Sequence, residues 1–138
     1  MNNRYICKGK RKDNGEWIYG DLIIDQYGKY YIHPNANAFS VNEYNLAKCI
    51  QMIEVIPETV GQCTGLEDKN GKLIFEGDIV HFKTPAYHYK NCRIKYQSFY
   101  ARYCAIDNKG YEYPMDKAFE YEIIGNIRDN PDLLEVER

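Results

Sequence analysis

The stretch from Pro57 to Val80, PETVGQCTGLEDKNGKLIFEGDIV, decides the fold because tight corners separate its short apolar runs. Asp68-Lys69-Asn70-Gly71 has the composition of a hairpin turn, since Asn and Gly tolerate left-handed backbone conformations. Gly77 can adopt a φ closed to other residues, and the Asp78 carboxylate can accept a hydrogen bond from a nearby backbone N–H. The stretch therefore predicts short strands joined by sharp corners.

The same alternation of strand and turn signals extends outward in both directions. Asn14-Gly15, Tyr27-Gly28 and the run 107–110 predict further hairpin turns. Gly20, alone inside a strand pattern, predicts a bulge or a close backbone approach. A capping pattern predicts a short helix near residues 41–47 that passes into a strand ending before Pro57.

Near the end of the chain, Asn130-Pro131-Asp132 has the order of residues that starts a helix. One turn there would place Leu133 and Leu134 over an open end of the sheet. Together the patterns predict a mainly β fold, a strongly bent antiparallel sheet forming a small barrel-like domain, SH3-like or related, with one or two short helices. The 138 residues fit a single domain over residues 1–138.

The composition limits the class of protein. A net charge of -2 and a pI near 5.9 argue against a bulk polyanion binder. The 14 tyrosines suit strands with one ring face buried, and they also suit a recognition surface. The five cysteines include no C-x-x-C pair, no secretory signal opens the chain, and no apolar stretch has the length of a membrane span. We expect buried thiols in a cytoplasmic protein that does not contact a membrane.

Residues that carry chemistry occur without a recognisable pattern. His81, His88 and Cys92 lack the second ligand pair of a structural zinc site, so surface or half-buried histidines are the better interpretation. Cys92 with His88, or Cys104 with His81, would be a nucleophile and base only with a supporting signature that the sequence lacks. The glycines spell no phosphate-binding loop. The sequence predicts a protein that is not an enzyme and uses no metal or cofactor.

Nucleic-acid binding is the more serious alternative. Arg93 and Lys95 project from one face of their strand, and Tyr100 and Arg102 are expected beside them on the next strand. Basic side chains interleaved with aromatic rings can hold a single strand by phosphate contacts and base stacking. An ordinary solvated strand face explains the same residues. The second basic run, 8–12, is interpreted as the charge common at turns.

Several motifs follow one another in order along nearly the whole chain. They are Trp17-Ile18-Tyr19-Gly20 after Arg4, Pro57-Glu58-Thr59-Val60-Gly61-Gln62, Thr64-Gly65-Leu66, Asp68-Lys69-Asn70-Gly71, Glu76-Gly77-Asp78-Ile79-Val80, Ile124-Gly125-Asn126-Ile127 and Asn130-Pro131-Asp132-Leu133-Leu134. In residues, order and approximate spacing they resemble the YopX family. Cys63, where an aromatic residue is common, and Arg128-Asp129, where Tyr-Glu is usual, are local departures.

The resemblance implies a bacteriophage or prophage protein of the bacterial cytoplasm with a mostly β fold. It brings no established activity, so no catalytic residue is carried over. Our interpretation is a non-enzymatic accessory protein that binds an unknown host or phage protein, or assembles with itself as a homo-oligomer. The alternative is a weak nucleic-acid binder that uses Arg93, Lys95, Tyr100 and Arg102.

Overall fold

The computed structural model describes residues 5–34, 52–83 and 89–134, and strands dominate them. The strands are β1 Cys7–Lys10, β2 Trp17–Ile24, β3 Tyr30–Pro34, β4 Ile53–Val55, β5 Gly61–Glu67, β6 Leu73–Phe75, β7 Asp78–Lys83, β8 Tyr89–Gln97, β9 Arg102–Ile106, β10 Glu112–Pro114 and β11 Tyr121–Asn126. Short 3₁₀ turns cover Pro57–Thr59 and Pro131–Leu134. The predicted mainly β, antiparallel fold is confirmed. The helix predicted near residues 41–47 lies outside the described residues.

The chain divides into two compact units, residues 1–63 and residues 64–138. Within the parts that the structure describes, no helix is long and apolar enough to cross a bilayer. The assignment of residues 1–138 to one domain stays a prediction.

In the first unit, the strands lie in the order β4-β3-β2-β1, and the start of β5 pairs with β1. Every pairing is antiparallel. Ile32 and Val55 are fully buried on one side of this sheet. At Gly20, a Cβ atom would lie only 1.9 Å from the carbonyl oxygen of His33, so only glycine fits. The close backbone approach predicted there is confirmed.

In the second unit, the end of β5 lies beside β6, and a second antiparallel sheet has the order β10-β9-β8-β7-β11. Cys92 and Ile94 face the core, as their alternation predicts. Tyr96 continues that side of β8 but is exposed, with its ring packed edge-on against Tyr103 at a centroid distance of 5.2 Å. The prediction that Tyr96 is buried is wrong, because Tyr96 lies where β8 extends beyond the core. One cluster of buried residues in the core consists of Ile74, Val80, Phe82, Cys92, Ile94, Ala105 and Tyr121.

The sheets are not closed into a barrel, so the prediction of barrel-like closure is wrong. Closure requires the two edge strands of a sheet to pair, and β10 and β11 each pair with one neighbour. The edge of β11 is occupied by a turn instead, since the Lys69 N–H donates to the Tyr121 carbonyl at 2.8 Å. In the described part of the first unit, one isolated bridge links Arg11 to Val55, which is too short a ladder to close a sheet.

Among the described residues, one hairpin turn occurs three times with the same hydrogen bonds. It begins at Asp25, Asp68 and Asp107, and in each case one carboxylate oxygen accepts the backbone N–H groups two and four residues later at 2.9–3.0 Å. The third residue after each Asp is a glycine with φ of 80°, 81° or 88°. The predicted hairpins are confirmed, but among the described residues with side chains only Ala101 has a positive φ. Asn70 is therefore not left-handed; the turn is a type I turn followed by a left-handed glycine.

The corner at Gly77 joins β6 to β7 as the sequence predicts. Gly77 has a φ of 96°, which favours glycine strongly. Its N–H donates to the Ile94 carbonyl at 2.8 Å, and its carbonyl accepts the Ile127 N–H at 2.7 Å. The buried Asp78 carboxylate accepts the Phe75 N–H at 2.8 Å, so its predicted hydrogen-bonding role is also confirmed.

Candidate functional site: the tip of the β8–β9 hairpin

The β8–β9 hairpin projects a four-residue loop beyond its last strand pair, Gln97 with Arg102. The Tyr100 N–H donates to the Gln97 carbonyl at 3.1 Å, and the Ala101 N–H donates to the Ser98 carbonyl at 3.2 Å. Ala101 has a φ of 53°, which costs a non-glycine residue about 1 kcal/mol. The loop thus has a defined and slightly strained backbone.

Two aromatic rings and one guanidinium occupy the end of this loop, and we call Phe99, Tyr100 and Arg102 the aromatic tip. Phe99 is 86% exposed and Tyr100 is 54% exposed. Their rings meet edge-on with centroids 5.0 Å apart, and the Arg102 Cζ lies 4.5 Å from the Tyr100 centroid. Leaving Phe99 in water forgoes roughly 2 kcal/mol of burial free energy, so the folded protein alone gains little from this placement.

All four sequence-predicted site residues lie on the β8–β9 hairpin, and contact is shown between Arg102 and Tyr100. Strand register pairs Arg93 with Ile106, Lys95 with Cys104 and Gln97 with Arg102, so the three basic residues lie on one face of the hairpin. Lys95 and Arg102 are exposed, and Arg93 is half-buried. Tyr100 lies at the end of this face against Arg102.

The same face is neither continuous nor purely basic. Cys104 and Ile106, which lie among the basic residues, are buried. Glu112, from β10, accepts a hydrogen bond from the Gln97 amide at 2.7 Å and adds a negative charge. The face is therefore a mixed surface with a positive excess.

His81 serves the fold of the second unit. Its Nδ1 lies 2.8 Å from the Asn91 Oδ1, and its ring stacks on Tyr89 with centroids 5.0 Å apart. Asn91 in turn donates to the Leu133 carbonyl at 3.1 Å, which holds the last 3₁₀ turn. His88 lies outside the described residues. In the described ranges, no group of three or more His, Cys, Asp or Glu side chains is placed to hold a metal ion.

The shifted pKa values also belong to structural groups. Burial works against ionisation of Asp68, but three backbone N–H donors outweigh it and lower the pKa of this carboxyl. The backbone N–H of Lys29 leads the groups that lower the pKa of Asp25. Burial raises the pKa of Tyr121, whose hydroxyl accepts the Asp116 N–H at 3.0 Å. Each of these groups stabilises a turn or strand end.

Sequence reasoning missed a second cluster, in the first unit. The run 8–12 is not wholly a turn, because β1 extends to Lys10. The Lys8 Nζ lies 4.7 Å and the Lys10 Nζ 5.6 Å from the centroid of the Trp17 ring. The alternation of Lys8 and Lys10, followed by Trp17 after a turn, was the available signal.

Comparison with known proteins decides the family. The family model described as YopX protein matches residues 8–135. The chain belongs to the YopX family. A solved structure, the crystal structure of protein EF1440 from Enterococcus faecalis, is 23% identical, with 93% of this chain and 96% of that chain covered and a TM-score of 0.49. No curated protein matches this YopX-family chain.

The YopX motif residues of this chain build corners. Asp68 and Gly77 form the turns described above. The Asn126 side-chain oxygen accepts the N–H groups of Arg128 and Asp129 at 3.0 and 2.8 Å. The Asn130 side chain does not cap its own turn as predicted, since its oxygen accepts the Asn126 N–H at 3.2 Å; it is the Asn130 backbone carbonyl that accepts the Leu133 N–H, at 3.1 Å. These motif residues therefore explain corners of the fold.

Proposed function

We propose that this YopX-family protein is a bacteriophage or prophage accessory protein that acts in the bacterial cytoplasm without catalysis, by binding a protein through its aromatic tip. The observation that carries the proposal is the exposure of Phe99 on a loop of defined backbone geometry. Tyr and Arg are enriched among the residues that dominate binding free energy at protein interfaces, and Phe is enriched at interfaces generally. The tip combines all three.

Pre-organisation supports this role. The Tyr100 ring lies against both the Phe99 ring and the Arg102 guanidinium, so the three side chains restrict one another's rotamers. A surface ordered before association loses less conformational entropy on binding. Burial of Phe99 in a partner's apolar pocket would contribute roughly 2 kcal/mol from removal of its ring from water.

The positive excess beside the tip favours a partner with carboxylates around that pocket. Lys95 and Arg102 are exposed on this face, and Glu112 is engaged by Gln97. Exposed charge of this kind steers association and selects among partners more than it adds affinity. A second copy of the chain is one such partner, which makes a homo-oligomer the self-assembly form of the same proposal.

The placement of the reactive side chains supports a role without catalysis. Cys92 and Cys104 are fully buried. The buried carboxylates of Asp68, Asp78 and Asp107 accept backbone N–H groups. A nucleophile or general acid needs access to substrate, and these positions hold the fold together instead.

The test is affinity capture from phage-infected host cells with the wild-type protein and with Phe99→Ser/Tyr100→Ser. We expect specific partners to be lost with the tip variant and kept with Tyr111→Ser, which removes an exposed tyrosine outside the tip. Urea unfolding of each variant checks that the fold is intact. An unchanged set of captured proteins with the folded tip variant would contradict the proposal. Sedimentation over a range of concentrations tests the homo-oligomer, which a constant monomer mass would exclude.

Nucleic-acid binding remains a second candidate because register puts Arg93, Lys95 and Arg102 on one face with the Tyr100 ring at its end. Fluorescence polarisation with a single-stranded oligonucleotide should show binding that weakens steeply with salt and that Arg93→Glu and Lys95→Glu abolish. Lys117→Glu, at an exposed lysine of a different loop, is the control for net charge. No binding at low salt, or binding indifferent to the first two substitutions, excludes this candidate.

A further inference from the structure

The turn between β1 and β2 carries an Asn-Gly pair whose side-chain amide is held against a backbone N–H donor. The Glu16 N–H donates to the Asn14 Oδ1 at 2.9 Å, and both Asn14 and Gly15 are exposed. We propose that Asn14 is a modification site, at which the folded protein deamidates itself through a succinimide. The site is separate from the aromatic tip and does not depend on the function proposed above.

The reaction needs only the chain and water. The Gly15 nitrogen loses its proton to hydroxide and attacks the Asn14 Cγ, so that an N–Cγ bond forms. The Cγ–Nδ2 bond breaks, and the amide nitrogen takes a proton from water and leaves as ammonia. Water then opens the succinimide ring at one or the other carbonyl, which gives aspartate or isoaspartate. No group is oxidised or reduced.

The geometry of the turn favours this attack. Negative charge develops on Oδ1 as the nitrogen adds, and the Glu16 N–H already donates to that oxygen, as a donor in an oxyanion hole does. Gly15 has no side chain to hinder the approach, and a Cβ atom there would meet nothing within 4 Å, so hydroxide has access. The Gly15 N–H donates to the Arg11 carbonyl at 2.9 Å, and this bond on an exposed turn must open first.

The other Asn-Gly pair of the sequence, Asn70-Gly71, is protected by a buried carboxylate. One Asp68 oxygen accepts the N–H groups of Asn70 and Lys72, on either side of the Gly71 nitrogen, at 2.9 and 3.0 Å. A negative charge this close opposes loss of the Gly71 proton, and burial strengthens the effect. The second Asp68 oxygen accepts the Ile123 N–H at 3.1 Å, so opening of this turn also disturbs a link to β11.

The sequence neighbours alone favour the opposite order of reactivity. Asp13 and Glu16 flank the first pair, whereas Lys69 and Lys72 flank the second, and cationic neighbours stabilise the amide anion that attacks. In the folded protein the Asp13 carboxylate accepts two hydrogen bonds from Arg11, at 3.0 and 2.8 Å, which offsets its charge. The fold therefore selects the first pair for modification, and the unfolded chain should not.

Deamidation alters the turn that joins β1 to β2. Isoaspartate places an additional carbon atom in the backbone between Arg11 and Glu16, and the Arg11 N–H closes the turn by donating to the Glu16 carbonyl at 2.8 Å. The product also adds a carboxylate beside that of Asp13, where like charges repel. We expect the isoaspartate form to unfold at a lower urea concentration than the unmodified protein.

Peptide mapping by mass spectrometry follows both sites in the full-length protein. The protein is incubated at mildly alkaline pH, in buffer and in fresh urea that unfolds it. Deamidation raises the mass of the peptide that carries the site, and labelling by an isoaspartate methyltransferase identifies the isoaspartate product. In buffer we expect Asn14 to convert several-fold faster than Asn70. In urea we expect Asn70 to convert at least as fast as Asn14.

Two variants test the protective charge. Asp68→Asn removes it and should speed the conversion of Asn70, whereas Asp107→Asn, in a turn without an Asn-Gly pair, should leave that rate unchanged. Urea unfolding checks that both variants are folded. The proposal is overturned if Asn14 stays unmodified in buffer, or if Asn70 converts there as fast as Asn14. It is also overturned if Asn14 is the faster site in urea, or if folded Asp68→Asn leaves the Asn70 rate unchanged.

Discussion

Replacement of Asp68 by Asn tests whether one buried carboxylate ties a hairpin turn to a distant strand. One carboxylate oxygen accepts the Asn70 and Lys72 N–H groups within the turn, and the other accepts the Ile123 N–H at 3.1 Å. An asparagine keeps the first oxygen and replaces the second with an NH₂ group. That group and the Ile123 N–H are both donors, so the link to β11 is lost and a half-buried N–H is left without its acceptor.

The expected loss of unfolding free energy follows from the two donors that face each other in Asp68→Asn. Loss of a hydrogen bond to a charged group, with the partner left unsatisfied, costs roughly 1.5–3 kcal/mol, so we expect Asp68→Asn to destabilise the protein by about 2 kcal/mol. Asp107→Asn is the matched control, because Asp107 forms the same turn but its second oxygen faces the Tyr113 hydroxyl at 3.4 Å. A hydroxyl can rotate to accept from the new NH₂ group, so the control should cost less than about 1 kcal/mol.

Urea unfolding followed by circular dichroism measures both variants. The pH dependence adds an independent test, because the pKa of Asp68 is lowered by three N–H donors against the opposing effect of burial. A lowered pKa contributes stability that is complete above the unfolded value, about 3.9, and is lost as the pH falls through the folded value. The stability difference between wild type and Asp68→Asn should therefore narrow below about pH 4. This account would be refuted if Asp68→Asn and Asp107→Asn lost the same free energy of unfolding at neutral pH. It would also be refuted if the stability difference between wild type and Asp68→Asn did not change as the pH was lowered.

Three backbone substitutions extend the test of the fold, each measured by urea unfolding. Gly77→Val should destabilise by more than about 1 kcal/mol because its φ is 96°, and a neutral result would mean that the corner tolerates side chains. Gly20→Ala should cost at least about 2 kcal/mol, since its Cβ would lie 1.9 Å from the His33 carbonyl oxygen; wild-type stability would show that the strands can separate. Ala101→Gly should stabilise by about 0.5 kcal/mol by relieving a positive φ, and a loss of stability would show that the loop is unstrained.

Local features of the fold were readable in the sequence because local chemistry decides them. Glycine at 77 and the acids at 68 and 78 predict corners, and the corners exist. The closure of the sheet into a barrel was mispredicted because closure depends on which group occupies the edge strands of the sheet. The hydrogen bond from the Lys69 N–H to the Tyr121 carbonyl, which occupies the edge of β11, joins residues far apart in the sequence. No local sequence pattern predicts it.

The same distinction applies to the candidate surfaces. Period-two alternation was enough to place Arg93 and Lys95 on one face, and the short 97–102 turn carries that face to Arg102. The Trp17 cluster was missed because it depends on the register across the β1–β2 turn. Register there pairs Lys10 with Trp17, and a slip of one residue would send the ring to the other side of the sheet.

The positions of the family motifs bear on where specificity resides. The motif residues at 68, 77, 126 and 130 form hydrogen bonds with backbone groups of the fold. A substitution at one of these positions is therefore expected to lower the stability of the protein. Phe99, Tyr100 and Arg102 lie in none of these motifs, and Phe99 contributes little burial to the fold. A loop that the scaffold holds but does not need is free to change its side chains without loss of folding. Membership of the family therefore accounts for the scaffold, and the side chains that the scaffold exposes are where the proposed binding of a partner is to be tested.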